Sequence, residues 1–447
     1  MESTRGDEVA AGEPCVVQGC AIEMPSLRSA LELFDAPRTG WVAPTTSVVA
    51  GGTTATLTAT GACRFEKLRT DARALFRRVD TPDTLPDGAR PRLFGGFSFT
   101  GTERDTNRTM ENEPWAAYPD AHFVLPAVQV SVTSDGTWLT TTALGADAKM
   151  KASERLTRWR DRLTAIPEFD RGNPPGVQSQ QHTPTLPGWR DGVESVIDRI
   201  DRGAVKKIVL AKALSARLDR ELSVVDVLAR LGESYPGCYR FLFEPAGGAT
   251  FFGATPERLV SLRGRTVDTE ALAGSIGRGE TDDEDDWLEQ ELRKSDKNNH
   301  EHDLVVDTIH RQLDSVTDSV ETGSRTVRKL STVQHLQTPI RGTLDGDRHV
   351  LELVERLHPT PAVGGLPPVG ATRAIEELEG FDRGWYASPV GWMDADGNGT
   401  FVVAIRSAVA KATEVRLFAG AGIVSDSNPD EEWDELRLKF RPILDEL

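Results

Sequence analysis

The sequence predicts an α+β fold, and three observations carry that expectation. Strand patterns come in meandering blocks, with residues 238–243, 249–252 and 259–262 in one and 386–393, 400–409 and 413–420 in another. Helical periodicity falls between the blocks and after them, which argues against a βαβ repeat. A chain of 447 residues with 38% apolar and 27% charged side chains can bury a large core, and it shows no internal repeat.

In chain order, residues 1–170 read as alternating strands and turns with a helix or two. One helix is expected at 65–78, where apolar residues recur at helical spacing. Residues 92–101 (RLFGGFSFTG) read as a glycine-interrupted strand, and 115–130 end in the alternating run of a half-buried strand; both are assigned to the core. Residues 170–188 are rich in Pro, Gly, Gln and Thr, the composition of an exposed connection. The main boundary is therefore placed at 185, separating a strand-contributing region 1–185 from a region 186–447, with a linker inside one continuous domain as the alternative. Beyond it, 189–202 is a helix by periodicity and 206–216 (KKIVLAKALSA) a strand with a continuous apolar middle. A further strand is expected at 332–338, and helices at 287–293, 298–313, 349–357, 371–378 and 429–444.

Net charge is −17, from 69 acidic against 52 basic residues of which only eleven are Lys. No basic stripe offsets the repulsion, so a nucleic-acid partner is excluded. Acidic residues gather in loops such as 280–286, which would keep a surface hydrated in concentrated salt and points to a halophilic source; ordinary acidic solubility is the plainer reading. No apolar run is long enough to cross a bilayer, and residues 1–16 lack the basic flank and apolar stretch of a secretory signal. A cytoplasmic location without membrane contact is expected. Cys15, Cys20, Cys63 and Cys238 match neither a zinc pattern nor a disulfide framework and are read as free thiols.

The most informative segment is 419–444 (AGAGIVSDSNPDEEWDELRLKFRPIL). It opens on a Gly-Ala-Gly turn at Gly420–Gly422 and enters a helix after Pro429, on which Glu432 and Glu435 share a face and Lys439 follows one turn later. A second helix offers Glu301, and two carboxylates from different helices are how Mg²⁺ is held when it must also meet a substrate. Read alone, carboxylates at this spacing are a solvated helix face; the glycine turn, which lets a ligand approach the backbone, favours a site. Residues 394–400 (DADGNGT) imitate the start of a calcium loop, but the position requiring a bidentate Glu is Ile405, so they are read as a turn between strands. Neither Gly247, Gly248 and Gly253 nor Gly274, Gly277 and Gly279 form a phosphate-binding loop.

Taken together, the motifs KKIVLAK, FFGATPERLV, EALAGSIGRG, KNNHEHDLVV, VQHLQTPIRG, LHPTPAVGG, GWYASPVGW, VAIRSA and GAGIVSDSNPDEEWDE resemble, in order, those of the chorismate-utilising enzymes. That family includes isochorismate synthases, salicylate synthases, anthranilate synthase component I and aminodeoxychorismate synthase component I. The likeness covers nearly all of 189–447, and a weaker one over FGGFSF and W…YP…F.LP looks like the isochorismate synthase branch. It implies large central antiparallel sheets flanked by helices, and Mg²⁺-dependent conversion of chorismate to isochorismate. By the same resemblance, Glu301 and Glu435 would ligate Mg²⁺, with Glu432 acting through water, and the ion would grip the ring carboxylate. Arg406 and Lys439 resemble the binders of the enolpyruvyl carboxylate, with Tyr386, Gly274, Ser275 and Gly422 lining the pocket. Read alone, Arg406 would pass as a strand-end charge and Tyr386 as core.

The reaction needs water to attack ring carbon 2 while the hydroxyl on carbon 4 departs, hence a base and an acid. Lys207 and Glu257 are the expected pair. Lys207 would need its pKa lowered by burial or by a neighbouring cation, leaving Lys206 as the solvent-facing member of the pair, and Glu257 would need to stay protonated. His335 matches the family's active-site histidine, near the ring and the enolpyruvyl group.

Three positions discriminate among the family's reactions. Anthranilate synthases carry Gln at the place of Lys207, so Lys points to water as nucleophile. Ala273 stands where aminodeoxychorismate synthases carry a nucleophilic Lys. Ala362 is typical of enzymes that stop at isochorismate, whereas salicylate synthases carry Thr there and go on to release pyruvate; salicylate synthase is the alternative. The product would feed menaquinone or siderophore biosynthesis, and no obligatory protein partner is expected. A non-catalytic relative would have lost one of Lys207, Glu257, Glu301 or Glu435, and all four are present.

Overall fold

Alternating Val, Phe and Leu over Ala121–Thr133 build the strand from which the whole sheet branches. The computed structural model describes residues 13–447 except 25, 45 and 102–113, so most of the stretch read for a secretory signal, residues 1–12, lies outside the described residues. One edge of Ala121–Thr133 pairs antiparallel with Ser47–Ala59, from Ser47↔Val132 to Ala59↔Ala121. Its other edge is shared between Leu93–Phe97 and Gly136–Leu144.

A ladder of antiparallel strands leaves each side of this root and runs into the C-terminal half. The first passes from Ser47–Ala59 through Arg38–Val42, Tyr239–Glu244, Thr250–Thr255, Ser407–Lys411 and Glu414–Ile423 to Lys207–Leu218. The second passes from Leu93–Phe97 through Pro389–Met393, Gly399–Val403, Arg258–Arg263 and Thr266–Gly277 to Val333–Leu344. The ladders meet again at a double corner, where Thr250–Thr255 runs on into Arg258–Arg263 and Gly399–Val403 into Ser407–Lys411. Hydrogen bonds pin the corner: Val403 N–H donates to Glu257 O at 3.0 Å, Ala254 N–H to Arg406 O at 3.1 Å, and Thr255 Oγ1 to Val403 O at 2.7 Å. Arg406 makes the bend in the left-handed region, at φ +52°.

Helices cover the sheet where the site lies. Asp296–Asp314 packs on Thr266–Gly277, and Pro429–Leu444 packs on Glu414–Ile423 and on Leu186–Asp201. Asn428 caps the latter helix by accepting from the N–H groups of Asp430 and Glu431. Trp433 fastens it to the sheet: Lys212, fully buried, sits 3.0 Å above the centre of its ring. Burial, with Arg437 adding, lowers the Lys212 pKa to about 7.

The α+β class is the observed one, and several local expectations are corrected. Residues 170–188 are more than a connection: Val177–Thr183 is a strand pairing with Lys207–Leu218, and its exposed Gln and Ser side chains gave no apolar signal. The helix after it begins at Leu186. Residues 400–409 are two strands broken at the Arg406 corner, and Tyr386 precedes its strand, which is Pro389–Met393. Gly420–Gly422 is not a turn, because these residues continue the strand Glu414–Ile423 opposite Ala211, Leu210 and Val209. Residues 394–398 form the expected turn, with Asp394 Oδ1 accepting from Asp396 N and Asn398 N. The four cysteines are free thiols. Among the described residues, no helix is long and apolar enough to cross a membrane.

Candidate active site

The double corner, the strands Lys207–Leu218 and Glu414–Ile423, and the two carboxylate-bearing helices enclose a cavity of about 240 Å³. Glu257, Gly274, Ser275, Glu301, His335, Ala362, Tyr386, Arg406, Gly422, Glu432, Glu435 and Lys439 all line it. Lys207 reaches the same wall from beneath, fully buried, through its contact with Glu301. Every residue singled out from the sequence is thus brought to one place, from segments up to 232 positions apart (439 − 207). A larger groove of about 1000 Å³ shares Ser275 and Glu435 with this cavity. Glu257, Glu301, Arg406 and Lys439 line the smaller space and not that groove, so the smaller space is the candidate site.

The acid and base candidates differ in their surroundings. Glu257 is 5% exposed, and burial, reinforced by the neighbouring Glu270 carboxylate, pushes its pKa up to about 8 despite Arg406 and Lys207. It is therefore a proton donor at neutral pH. Of the two surroundings expected for Lys207, burial is the one observed, since it is fully buried, while its neighbour is an anion rather than a cation: its Nζ lies 2.7 Å from Glu301 Oε1. That partner comes from the helix crossing the strand, a tertiary relation that no local pattern around KKIVLAK records. Lys206 is exposed, as expected.

Three carboxylates face three ammonium groups in the cavity wall. Glu301 pairs with Lys207, Glu432 with Lys297 at 3.2 Å, and Glu435 with Lys439 at 2.6 Å. Burial alone would raise the Glu301 pKa, but the Lys207 ammonium outweighs it and holds the carboxyl below its ordinary value. Burial and the nearby Glu435 raise Glu432, whose Oε1 also accepts from Ser427 Oγ at 2.8 Å. As a donor set, three carboxylates from two helices suit a hard divalent cation. As the side chains stand, no group of three or more His, Cys, Asp or Glu among the described residues converges on a metal position. A cation entering here would exchange with the lysines.

The remaining wall suits an anionic ring. Arg406 is buried, which lowers its pKa and leaves a guanidinium that a carboxylate would stabilise. Lys439 Nζ donates to Gly420 O at 2.8 Å and keeps its head at the cavity. His335 is held neutral by burial and by the positive charge of Arg406 and Lys439; its Nδ1 lies 3.0 Å from Ser275 Oγ, and its Nε2 is buried without a hydrogen-bond partner. Gly274 takes φ +75°, which lets the Ser275 N–H meet Asn298 Oδ1. Gly422 is required for space: a Cβ there would lie 2.8 Å from both Glu301 Oε1 and Lys207 Cε.

Sequence reasoning missed Glu270, Lys297 and Ser427. Glu270 leaves a signal, a carboxylate inside the apolar run of Thr266–Gly277; it accepts from Arg258 N–H at 3.2 Å and from Gln337.

A family model described as chorismate binding enzyme matches residues 22–447. Isochorismate synthase MenF of Bacillus subtilis is 36% identical over 386 residues, which is 86% of this chain and 80% of that protein. The salicylate biosynthesis isochorismate synthase of Pseudomonas aeruginosa is 35% identical over 415 residues, 91% of this chain and 84% of that one. The solved structure of MenF, the menaquinone-specific isochorismate synthase of Escherichia coli, superposes with a TM-score of 0.81 at 26% identity and covers 98% of this chain and 96% of its own. The chain belongs to the chorismate binding enzyme family.

Proposed function

We propose that the protein is an isochorismate synthase that exchanges the C4 hydroxyl of chorismate for a C2 hydroxyl derived from water. The observation that carries this reading is a buried lysine, Lys207, held against Glu301 in the wall of the same small cavity that is lined by Glu257, a carboxyl whose pKa burial raises to about 8. Lys207 acts in its amine form, after its ammonium has given a proton to solvent and released Glu301; water attacks ring carbon 2 and its proton passes to that amine. The ring double bonds shift, and the carbon 4 hydroxyl leaves as water with the proton of Glu257. Proton exchange with solvent resets both groups.

Arg406 and Lys439 bind the enolpyruvyl carboxylate by charge-assisted hydrogen bonds, and Tyr386 and the backbone at Gly274 and Ser275 shape the wall against the ring. His335, neutral, orients the ring and its enolpyruvyl group with the free Nε2. Glu301 and Glu435 are the proposed ligands of Mg²⁺, with Glu432 acting through water, and the ion would neutralise and orient the ring carboxylate. Ala362 adds no hydroxyl to the loop over the ring, in keeping with a reaction that ends at isochorismate.

The test is incubation with chorismate and Mg²⁺, at low and at molar salt, with products resolved by chromatography. Isochorismate without salicylate or pyruvate is expected. Salicylate with equimolar pyruvate would make the protein a salicylate synthase, and no turnover at any salt would sink the assignment.

A further inference from the structure

The strand carrying Lys207 is only partly paired on one of its edges. Glu414–Ile423 covers the whole of the other edge, from Glu414↔Arg217 to Ile423↔Ile208. On the open edge, Val177–Thr183 pairs with residues 213–218 and Gly365–Leu366 with Ile208 and Lys207. Among the described residues, no strand faces Val209 and Ala211 there, although both are buried, and buried backbone groups must find partners.

Two side chains fill the gap. Glu379 Oε1 accepts from Ala211 N–H at 2.7 Å, and Arg383 Nη2 donates to Val209 O at 2.8 Å. They pair with each other, Arg383 Nε to Glu379 Oε2 at 2.8 Å, with both side chains 3% exposed. Arg383 Nη1 also donates to Val363 O at 2.9 Å, while Gly364 O accepts from Val209 N–H at 2.9 Å. The same guanidinium lies 4.3 Å from the centre of the Phe99 ring and 5.9 Å from that of Tyr386. One buried ion pair therefore ties the base's strand to the loop that carries Ala362 and to the tyrosine wall.

We infer that Glu379 and Arg383 are positioning residues, a side-chain substitute for a ladder partner that fixes the distance between Lys207 and the loop over the ring. Neither residue lines the cavity, so they act through Val209, Ala211 and Val363. An ion pair suits this place because its three hydrogen bonds to backbone, at Ala211, Val209 and Val363, reach two segments at once, which an apolar pair of the same volume could not. The catalytic part of this inference rests on the isochorismate synthase reading; the mechanical part does not.

Two variants of the full-length protein test it, Glu379→Gln and the double exchange Glu379→Met with Arg383→Met. The double variant removes both charges together, so no lone charge is left buried, and a melting curve checks that it is folded before exchange and turnover are read. Hydrogen–deuterium exchange of peptides 207–213 and 359–366 is expected to speed up together by about 10-fold, with the rest of the sheet unchanged. Turnover of chorismate is expected to fall by about 10-fold in kcat, with KM and calorimetric Mg²⁺ affinity within about twofold. Glu379→Gln keeps an acceptor for Ala211 N–H, so its 207–213 peptide should stay protected more than in the double variant. Wild-type kcat in the folded double variant, unchanged exchange in the two peptides, or a uniform rise in exchange across the sheet would overturn the proposal. If the wild-type protein is inert toward chorismate, the function reading fails, while the paired exchange still decides whether the clamp exists.

Discussion

Lys207 Nζ and Glu301 Oε1 meet at 2.7 Å, so the proposed base and a proposed metal ligand hold each other across the junction of strand and helix. Lys207→Met removes the base and leaves Glu301 without its counter-ion. Turnover of chorismate is expected to fall by about 10²- to 10⁴-fold. Mg²⁺ titrated calorimetrically into the same variant should bind at least as tightly as to wild type, because an ammonium no longer competes for the oxygen. Weaker Mg²⁺ binding in this variant would overturn the competition between Lys207 and the cation for Glu301.

The raised pKa of Glu257 fixes a pH limb. Only the protonated carboxyl can donate, so kcat/KM should decline as pH rises through about 8, and Glu257→Gln should abolish that limb along with most of the activity. The stability sign follows from the same shift. The folded group holds its proton up to about 8 against an ordinary value of 4.5, so its contribution to stability is complete below 4.5 and is lost as pH rises through 8. The melting temperature of Glu257→Gln should therefore be less sensitive to pH across that window than that of the wild type.

Much of the site was legible in the sequence because its residues lie inside ordered motifs, and the structure brings Lys207, Glu257, Glu301, His335, Arg406 and Lys439 to one cavity wall. What was not legible is relational. Lys297 faces Glu432, and Glu379 reaches Ala211, 168 positions away, through the packing of helices on strands, which has no local periodicity. The strand Val177–Thr183 escaped because an exposed edge strand need not alternate in polarity, and its Gln-rich run reads as loop. The break at Arg406 escaped because the left-handed residue there is not Gly or Asn, the types that signal such a bend.

Gly422 separates folding from function. An added Cβ would press on the far ends of two flexible side chains, Glu301 Oε1 and Lys207 Cε, rather than on backbone. These ends can move at little cost to the fold, but their displacement disturbs the base and a ligand together. Gly422→Ala is expected to melt within a few degrees of wild type and to lose about 10-fold or more in kcat/KM. A large drop in melting temperature with little change in kcat/KM would reverse this account.

The acidic surface leads to the last expectation. Net charge is −17, and one helix, Asp282–Lys294, carries four acidic residues in its first turn. Like charges at this density repel one another in dilute buffer, and salt screens them over a Debye length of about 3 Å at 1 M. The ion pairs of the proposed site line the cavity wall, each with one member 10% exposed or less, where screening reaches them less than it reaches the open surface. The melting temperature should therefore rise between 0.1 M and 2 M KCl, with kcat held within about threefold. Collapse of kcat in molar salt, with the melting temperature rising as expected, would mean that salt reaches and screens the ion pairs of the cavity wall and that they set the rate of the bound complex.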